Sequence, residues 1–513
     1  MIHFLLLKNY TYIFLLFILS LTFNSCEDSI SGDFNENQAP STFLTIEQIN
    51  REGDFRLSSQ IEITWWGVDS DGFITGYEYA INDTSENSWT FTTRTDSTFI
   101  LPITEGLAED DVLFKVRAID NDNERDPVGA RLVFPIVNTS PRVSLNLTET
   151  PPDSLFSIAS FGWSVSDLDG LGNISRTEIA VNDTTSGWVD VPFSQADDGR
   201  LFISLEFDNR TPGTKEADLY IGRSYSRGVD ENNVPITVPN IEIDTENTFY
   251  VRAIDAAGAR SNVESISWYV KPQNSNVLFI NDDGSSNSLT KQAAHLVFLD
   301  EIGITPDLWL INTGEVTQDK IALSDQFPTV VDPTLKNTLA KWDHIYWISE
   351  DIDRNITYAL DITSEFFAEG GSMFVNIPMK GISQRDEIFN FLPVDSIGYF
   401  DEGSIQTGFV INTNSDIVPE DGVSDVVART QSRQVGVFPI KPIAGSTPLY
   451  TTDFRTTTLI GTTLDYTRFE NIAVENQEGN LIYLSMDLTL INQNGNVPEL
   501  LQDLLIGRLN FNQ

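Results

Sequence analysis

The sequence is poor in cysteine, in histidine and in basic residues, and each shortage excludes a class of chemistry. Its 513 residues include one cysteine, so an intramolecular disulfide, a Cys-based zinc cluster and a thiol pair are all excluded. Three histidines leave little material for a His-based metal site. The 31 basic residues face 75 acidic ones, which gives a formal net charge of −44. Because so negative a surface repels nucleic-acid phosphates, we expect no nucleic-acid partner.

The amino terminus is typical of an export signal. Lys8 supplies a positive charge, and residues 12–23 form an apolar run. That run is shorter than the roughly 20 residues needed to span a bilayer. It has the length of a signal-peptide hydrophobic region. We therefore predict a signal peptide over residues 1–25.

The only cysteine follows this segment directly. The string LTFNSC (21–26) resembles the lipobox of Bacteroidetes-type bacterial lipoproteins. In that family the cysteine becomes the amino terminus and carries acyl chains. The resemblance implies that Cys26 is lipidated and that the protein is anchored in the bacterial outer membrane, at the cell surface or on the periplasmic face. The alternative is an ordinary cleaved signal followed by a free cysteine.

The acyl anchor would offset the electrostatic repulsion between a polyanionic chain and anionic lipids. Each buried CH₂ group contributes about 0.8 kcal/mol to membrane binding. Residues 26–39 are polar and acidic, which is typical of a disordered segment. We expect a lipidated, flexible tether there.

An internal repeat with a period of about 100 residues follows. The recurring pairs are DSDG (69–72) with DLDG (167–170), YEYAIND (77–83) with TEIAVND (177–183), Trp89 with Trp188, and FKVRAID (114–120) with FYVRAID (249–255). The last pair is further apart, so the second copy carries an insertion. We predict related domains over 40–138 and 139–272, the second with an added loop or hairpin at about 190–246.

Each copy consists of short segments with alternating polarity separated by Asp/Gly turns, the pattern of half-buried strands. Such segments over about 100 residues predict a β-sandwich. The string VRAIDAAG (251–258) resembles a strand of fibronectin type III domains, and the looser assignment is immunoglobulin-like. Modules of this kind are spacers or binding modules, and the fold does not choose between them.

The acidic turns of both copies have two interpretations. Asp side chains cap their own turns, and Gly accepts a positive φ. Clustered carboxylates also suit calcium, although the twelve-residue calcium loop needs more acids and a closing Glu. We therefore expect no cofactor other than calcium. The candidate calcium ligands are Asp69, Asp71, Asp167, Asp169, Asp120 and Asp122.

From residue 273 onward the pattern changes to fully apolar strands alternating with helical segments, which indicates a parallel sheet covered on both faces. The expected strands and helices are 276–282, 288–302, 308–312, 334–342, 344–351, 362–371, 372–378, 480–487 and 497–511. The fold class expected for the whole chain is multidomain. Two all-β immunoglobulin-like sandwiches precede an α/β parallel-sheet layered domain over 273–513.

The strings VLFINDD (277–283), KWDHIYWISED (341–351) and EGGSMFVNIP (369–378) resemble the class I glutamine amidotransferase-like fold, which is flavodoxin-like. That family's reaction needs a cysteine nucleophile. None lies in this domain, and no G-x-S-x-G elbow replaces it. His295 and His344 have positions typical of structural residues. We expect a domain without catalytic residues.

Any ligand of this domain should bind at the carboxyl ends of its strands. The candidate residues there are Asp282, Asp283, Ser285, Glu350 and Asn376. The alternative for Asp282 and Asp283 is capping of the helix that follows.

The leading hypothesis is an envelope lipoprotein with a binding or scaffolding role, whose partner is a glycan or an envelope protein. The alternative is a glycan-acting hydrolase that uses paired carboxylates at the same strand ends. A pocket there with two facing carboxylates would favour the enzyme.

Overall fold

A computed structural model describes residues 36–45, 56–104, 106–311, 327–381 and 388–511. The predicted signal peptide, Cys26 and most of the predicted tether lie outside the described residues. Residues 1–102 and 109–137 make up one compact unit, and residues 103–108 and 138–513 make up a second.

The first unit contains an antiparallel sandwich of two sheets. Its strands are Ser41–Thr45 (β1), Gln60–Val68 (β2), Ile74–Ile81 (β3), Thr90–Thr92 (β4), Asp96–Ile100 (β5), Glu109–Asp120 (β6) and Ala130–Val137 (β7). One sheet has the order β1-β2-β5, and the other has the order β4-β3-β6-β7. This is the immunoglobulin-like arrangement that the alternating pattern predicts.

The polarity pattern of β2 shows why these residues form a strand with one buried face. Ile61, Ile63 and Trp65 are buried, and the residues between them face outward or are half-buried. The Trp65 ring lies 6.0 Å from the Phe99 ring and 6.1 Å from the Phe114 ring, centroid to centroid. Strands from both sheets therefore meet in one aromatic core.

The second unit begins with another sandwich. Its strands are Arg142–Leu145 (β8), Ser154–Leu155 (β9), Ile158–Ser166 (β10), Ile174–Val181 (β11), Val189–Pro192 (β12), Arg200–Glu206 (β13), Thr214–Ile221 (β14), Ser226–Arg227 (β15), Thr237–Glu242 (β16), Glu246–Asp255 (β17) and Glu264–Val270 (β18). One sheet has the order β15-β14-β13-β10-β8 with β16 beside β14, and the other has the order β12-β11-β17-β18-β9. Phe161 stacks on Phe249 between the sheets, with 3.9 Å between centroids.

The additional residues of the second copy form strands rather than a long loop. Strands β14, β15 and β16 extend the sheet beyond β13, and all their pairings are antiparallel. These three strands lie within the residues predicted as an insertion, at about 190–246. They make this sheet wider than its counterpart in the first sandwich.

The repeat in sequence corresponds to a repeat in side-chain contacts. Arg117 lies 4.0 Å from the Trp89 ring centroid and pairs with Glu78 at 2.7 Å. In the second copy Arg252 lies 3.9 Å from the Trp188 ring and pairs with Glu178 at 2.5 Å. Both tryptophans therefore have an arginine over one face.

The rest of the second unit begins with parallel strands. Its strands are Val277–Asn281 (β19), Asp307–Leu310 (β20), His344–Ile348 (β21), Ser372–Asn376 (β22), Val394–Ile397 (β23), Gln406–Ile411 (β24), Asp416–Pro419 (β25), Ala428–Arg429 (β26), Gln434–Val435 (β27), Ile440–Pro442 (β28), Thr447–Thr452 (β29), Arg455–Thr458 (β30), Thr463–Asp465 (β31), Asn471–Glu475 (β32) and Leu481–Leu484 (β33). Strands β20-β19-β21-β22-β33 are neighbours in that order, and each pairing between them is parallel. Strands β19, β21 and β22 are buried along their whole length.

Helices connect these strands, close to the predicted positions. The α-helices are Ser288–Glu301, Lys336–Leu339, Ala359–Ile362, Ser364–Ala368, Ile388–Phe391 and Val497–Leu501. The last of these continues as a wider helical turn over Gln502–Arg508. Apolar residues from the helices and strands form cores on both faces of the sheet.

Between β22 and β33 the chain forms antiparallel strands that the sequence analysis does not predict. Strands β32, β29, β25 and β26 extend the large sheet beyond β33, and a separate sheet has the order β27-β24-β30-β31. The strand Arg455–Thr458, for example, contains no apolar residue, so its sequence gives a weaker signal than a continuous apolar run.

One side chain of the second sandwich, Phe156, packs into the apolar core of the parallel sheet. Phe156 follows β9, is 1% exposed, and packs edge-on against Trp309 and Trp342 with centroid distances of 5.2 and 4.7 Å. A buried hydroxyl bond of 2.6 Å joins Ser160 to Thr334 beside it.

Polar contacts surround this junction. Arg210 and Gln273 each donate to the carbonyl oxygen of Lys341, at 2.9 and 2.8 Å, and the Lys341 ammonium pairs with Glu206. The sandwich is therefore fixed to the parallel sheet by a buried centre and a polar rim.

Candidate functional site

The polar side chains predicted to form a site lie at the carboxyl ends of the parallel strands. Asp282 and Asp283 follow β19, Glu350 follows β21, and Asn376 ends β22. Because the strands are parallel, their carboxyl ends meet at one edge of the sheet. The contacts of each side chain show what it does there.

Asp282 is fully buried and bound by protein donors. Its carboxylate accepts hydrogen bonds from the Asn355 side chain at 2.7 Å, the Ile356 backbone at 3.1 Å and the Trp347 indole at 3.4 Å. Burial raises the pKa of Asp282 to about 8, although these donors act in the opposite direction. A side chain with no exposed surface and three protein donors supports the helical turn at Asn355–Tyr358 rather than contacting a ligand.

Asp283 belongs to a partly buried charge network. Lys291, one turn into the following helix, lies 2.6 Å from the Asp283 carboxylate and 3.3 Å from the Asp487 carboxylate. Burial alone would raise the pKa of Asp283, but the hydrogen bonds from Lys291 and Ser285 outweigh it and lower that pKa. Burial alone would lower the pKa of Lys291, but the carboxylates of Asp283 and Asp487 outweigh it and raise that pKa. Asp283 and Lys291 are therefore both charged at neutral pH.

Glu350 and Ser285 complete the loop after β19. Glu350 accepts a hydrogen bond of 2.7 Å from the Gly284 backbone and pairs with Arg354. The Ser285 backbone donates to Asp283 at 2.8 Å, while its hydroxyl is buried without a hydrogen-bond partner among the described residues. The structure thus brings Asp282, Asp283, Ser285 and Glu350 together.

The Asn376 side chain forms hydrogen bonds between two neighbouring strands, β22 and β33. Its amide nitrogen donates to the carbonyl oxygens of Leu484 and Met486 at 3.1 and 2.5 Å, and its side-chain oxygen accepts from Leu488 at 3.4 Å. These bonds join β22 to the last residue of β33 and to the chain that follows it. Asn376 therefore closes the end of the sheet.

The sequence analysis missed Lys291, Asp487 and Asn355. Lys291 lies three residues after the first residue of the helix Ser288–Glu301, which places it over the end of β19. Asp487 follows the last parallel strand, so its position in the sequence could have identified it as another carboxylate at the strand ends. Nothing local to Asn355 indicates its bond to Asp282, which is 73 residues away in the chain.

Both histidines of this region are buried and lie within hydrogen-bond distance of a hydroxyl group. His295 is buried, its Nδ1 lies 2.8 Å from the Tyr346 hydroxyl, and burial lowers its pKa to about 4. His344 lies 2.8 Å from the Ser372 hydroxyl and stacks on Phe511. Neither has a carboxylate as its hydrogen-bond partner in these contacts.

Two clefts lie at the other end of the parallel strands, beside the second sandwich. One has a volume of about 560 Å³ and is lined by Arg210, Gln273, Asn274, Ser275, Asn276, Thr305, Pro306 and Asp307. The other, of about 430 Å³, shares Arg210 and Gln273 with it. The sequence analysis predicts binding at the carboxyl ends, and these clefts lie near the amino ends.

The predicted acidic turns of the first sandwich are built from two neighbouring loops. The Asp71 backbone N–H faces the Asp69 carboxylate at 3.4 Å. Asp120 is buried and accepts 2.8 Å hydrogen bonds from the backbone of Asp122 and Glu124. Asp122 therefore contributes its backbone to the turn, and its side chain is exposed.

The second sandwich has the corresponding turn at Asp167 and Asp169, with 2.9 Å between the Asp169 backbone nitrogen and the Asp167 carboxylate. Burial and the nearby charges of Asp169 and Asp255 raise the pKa of Asp167. Across the described residues no group of three or more His, Cys, Asp or Glu side chains is arranged to hold a metal ion.

In the part of the chain that the structure describes, no helix is both long and apolar enough to cross a membrane.

Comparison with known proteins gives structural matches only. The chain matches no protein-family profile and no curated protein sequence. The fibronectin(III)-like modules of Clostridium thermocellum CbhA match at 17% identity, over 45% of this chain and 95% of that one, with a TM-score of 0.16. A two-domain fibronectin type III segment of chicken tenascin matches at 9% identity, over 45% and 99%, with a TM-score of 0.20. The FN1–FN3 domains of chicken CNTN1 match at 16% identity, over 45% and 68%, with a TM-score of 0.13. TM-scores this low support no inference, and the immunoglobulin-like assignment rests on strand order.

Proposed function

We propose that this chain is a lipid-anchored envelope protein with a binding or scaffolding role, which carries an α/β domain on β-sandwich modules. The observation that carries this proposal is the packing of Phe156, a residue of the second sandwich, into the core of the parallel sheet. Phe156, Trp309 and Trp342 are buried together there, so the α/β domain is held in a fixed orientation on the sandwich. A module that displays another domain to a binding partner must hold that domain in a fixed orientation.

The strand order supports the assignment of 273–513 as a flavodoxin-like α/β domain. Numbered by their appearance in the chain, the parallel strands run 2-1-3-4-5 across the sheet. That is the order of flavodoxin-like folds. The resemblance to class I glutamine amidotransferases points the same way, and the absence of any cysteine after residue 26 supports a domain without that family's reaction.

The contacts at the strand ends favour binding or scaffolding over a carboxylate-dependent hydrolase. A glycoside hydrolase needs two carboxyl groups that face each other across a substrate. Asp282 is completely buried, and Asp283 is engaged by Lys291. The partner of a scaffold of this kind would be a glycan or an envelope protein.

The anchor is tested by fractionating cells that express the full chain. We expect the wild type in the outer-membrane fraction and Cys26→Ser in the soluble fraction, because the serine cannot carry the thioether-linked lipid. Ser25→Ala is the matched control, since it keeps a small residue before the cysteine, and it should stay with the membrane.

Proteinase added to intact cells then shows which face of the outer membrane carries the chain, when digestion is followed with an antibody to residues 276–513. Digestion places the chain at the cell surface, and protection until lysis places it in the periplasm. Retention of Cys26→Ser in the membrane fraction would contradict the lipid anchor.

A further inference from the structure

One arrangement of polar groups is built twice, once in each sandwich, from corresponding residues. An asparagine at the entry to each sandwich donates to the aspartate that ends a long strand. The Asn37 amide lies 2.7 Å from the Asp120 carboxylate, and the Asn138 amide lies 2.6 Å from the Asp255 carboxylate.

The residue after each asparagine repeats a second contact. The Gln38 backbone donates to Asp71 at 3.0 Å, and the Thr139 backbone donates to Asp169 at 2.5 Å. Asp71 and Asp169 are the second acids of the two Asp-x-Asp-Gly turns. The chain entry, the turn and the strand end therefore converge in the same way in both sandwiches.

In both copies the first acid of the turn keeps a carboxylate oxygen that has no hydrogen-bond partner among the described residues. This is true of one buried oxygen of Asp69 and one of Asp167, and in the second copy of an Asp169 oxygen as well. Asp169 as a whole is only 8% exposed. Buried carboxylate oxygens without donors are costly, because the lost hydration is not replaced.

The oxygen donor atoms of these carboxylate and amide groups favour one class of ligand. Carboxylate and amide oxygens are hard donors, which suit calcium rather than zinc or copper. Asp169 and Asp255 accept hydrogen bonds from neutral groups. The Thr139 backbone and hydroxyl donate to Asp169, and the Asn138 amide and the Ala259 backbone donate to Asp255. A divalent cation would supply the missing partner of both unsatisfied oxygens at once.

We propose that the second sandwich binds Ca²⁺ through the unsatisfied oxygens of Asp167 and Asp169, with water completing the coordination. Asn138 is then a positioning residue, because its side chain donates to Asp255 and accepts from Asn173, and so holds the adjacent Thr139 against Asp169. With two carboxylates the affinity falls in the range of extracellular calcium modules, about 0.1–1 mM. The first sandwich has the same plan, but Asp71 is exposed there, so its affinity is lower.

The test measures binding of radioactive ⁴⁵Ca²⁺ to the full chain in detergent by equilibrium dialysis, with Mg²⁺ as competitor. We expect saturable binding that Mg²⁺ at equal concentration displaces weakly. Asp169→Asn keeps the shape of the side chain and should weaken the tighter binding at least ten-fold. Asp71→Asn should leave that binding unchanged, as should the exposed control Glu231→Gln.

Asp167→Asn provides an independent variant in case Asp169→Asn fails to fold, which far-ultraviolet circular dichroism reports. Loss of binding in either folded variant supports the site. No saturable binding by the wild type up to about 10 mM Ca²⁺, ten times the weak end of the expected range, would overturn it. Equal binding by wild type and both folded variants would overturn it as well.

Discussion

Replacing Phe156 with alanine is expected to destabilise the second unit by about 3–5 kcal/mol, the range for truncating a buried phenylalanine. The side chain is 1% exposed and contacts tryptophan rings from two different segments of the parallel-sheet region. Its removal therefore leaves a cavity between the sandwich and the sheet, and it also removes two edge-to-face aromatic contacts, each worth about 0.5–1.5 kcal/mol.

Urea unfolding of the full chain, followed by tryptophan fluorescence, measures this loss. Phe73→Ala is the matched control, because Phe73 is 66% exposed and its truncation should cost little. We further expect the single unfolding transition of the second unit to separate into two in Phe156→Ala. A loss below about 1 kcal/mol with one transition retained would show that Phe156 does not join the two parts.

The second large effect is a pH dependence that comes from Asp282. Burial raises the pKa of Asp282 in the folded protein to about 8, far above its usual value of 3.8. The folded state then binds a proton more tightly than the unfolded state. The stabilisation from this group is complete below pH 4 and is lost as pH rises towards 8, at up to about 1.4 kcal/mol per pH unit.

Unfolding free energies at pH 5 and pH 8 isolate this contribution when wild type is compared with Asp282→Asn. The asparagine cannot ionise, so we expect the loss of stability between the two pH values to be smaller in the variant by several kcal/mol, on the order of the linkage above. Asp361→Asn, at an exposed position, should keep the wild-type slope. Parallel pH profiles for wild type and Asp282→Asn would show that Asp282 is ionised in the folded protein throughout.

The strands and helices with strong patterns were predictable from sequence. The alternation in Gln60–Val68 and the apolar run in Val277–Asn281 each have one dominant period, and both form the expected strands. The repeat also predicted which residues of the two sandwiches correspond. The strands Gln406–Ile411 and Arg455–Thr458 were missed because the first has no regular alternation of polarity and the second consists only of polar residues.

The candidate site was only half predictable. The end of each parallel strand can be located from sequence, which brought Asp282, Asp283 and Glu350 to one edge. Which of these side chains is buried depends on distant donors, and Asn355 and Lys291 are not marked by any local pattern. The same limit applies to the second sandwich, where Asp255 and Asn138 are bonded across 117 residues of chain.

The central claim is that the second sandwich and the parallel sheet form one rigid body. Native-state hydrogen exchange of the full chain along a urea series tests it most directly, through the amides of β10 and β21. If the two parts open together, the slowest amides of both strands will share one opening free energy and one urea dependence. If β10 opens at a lower free energy than β21, or the reverse, the two parts unfold separately and the account is contradicted.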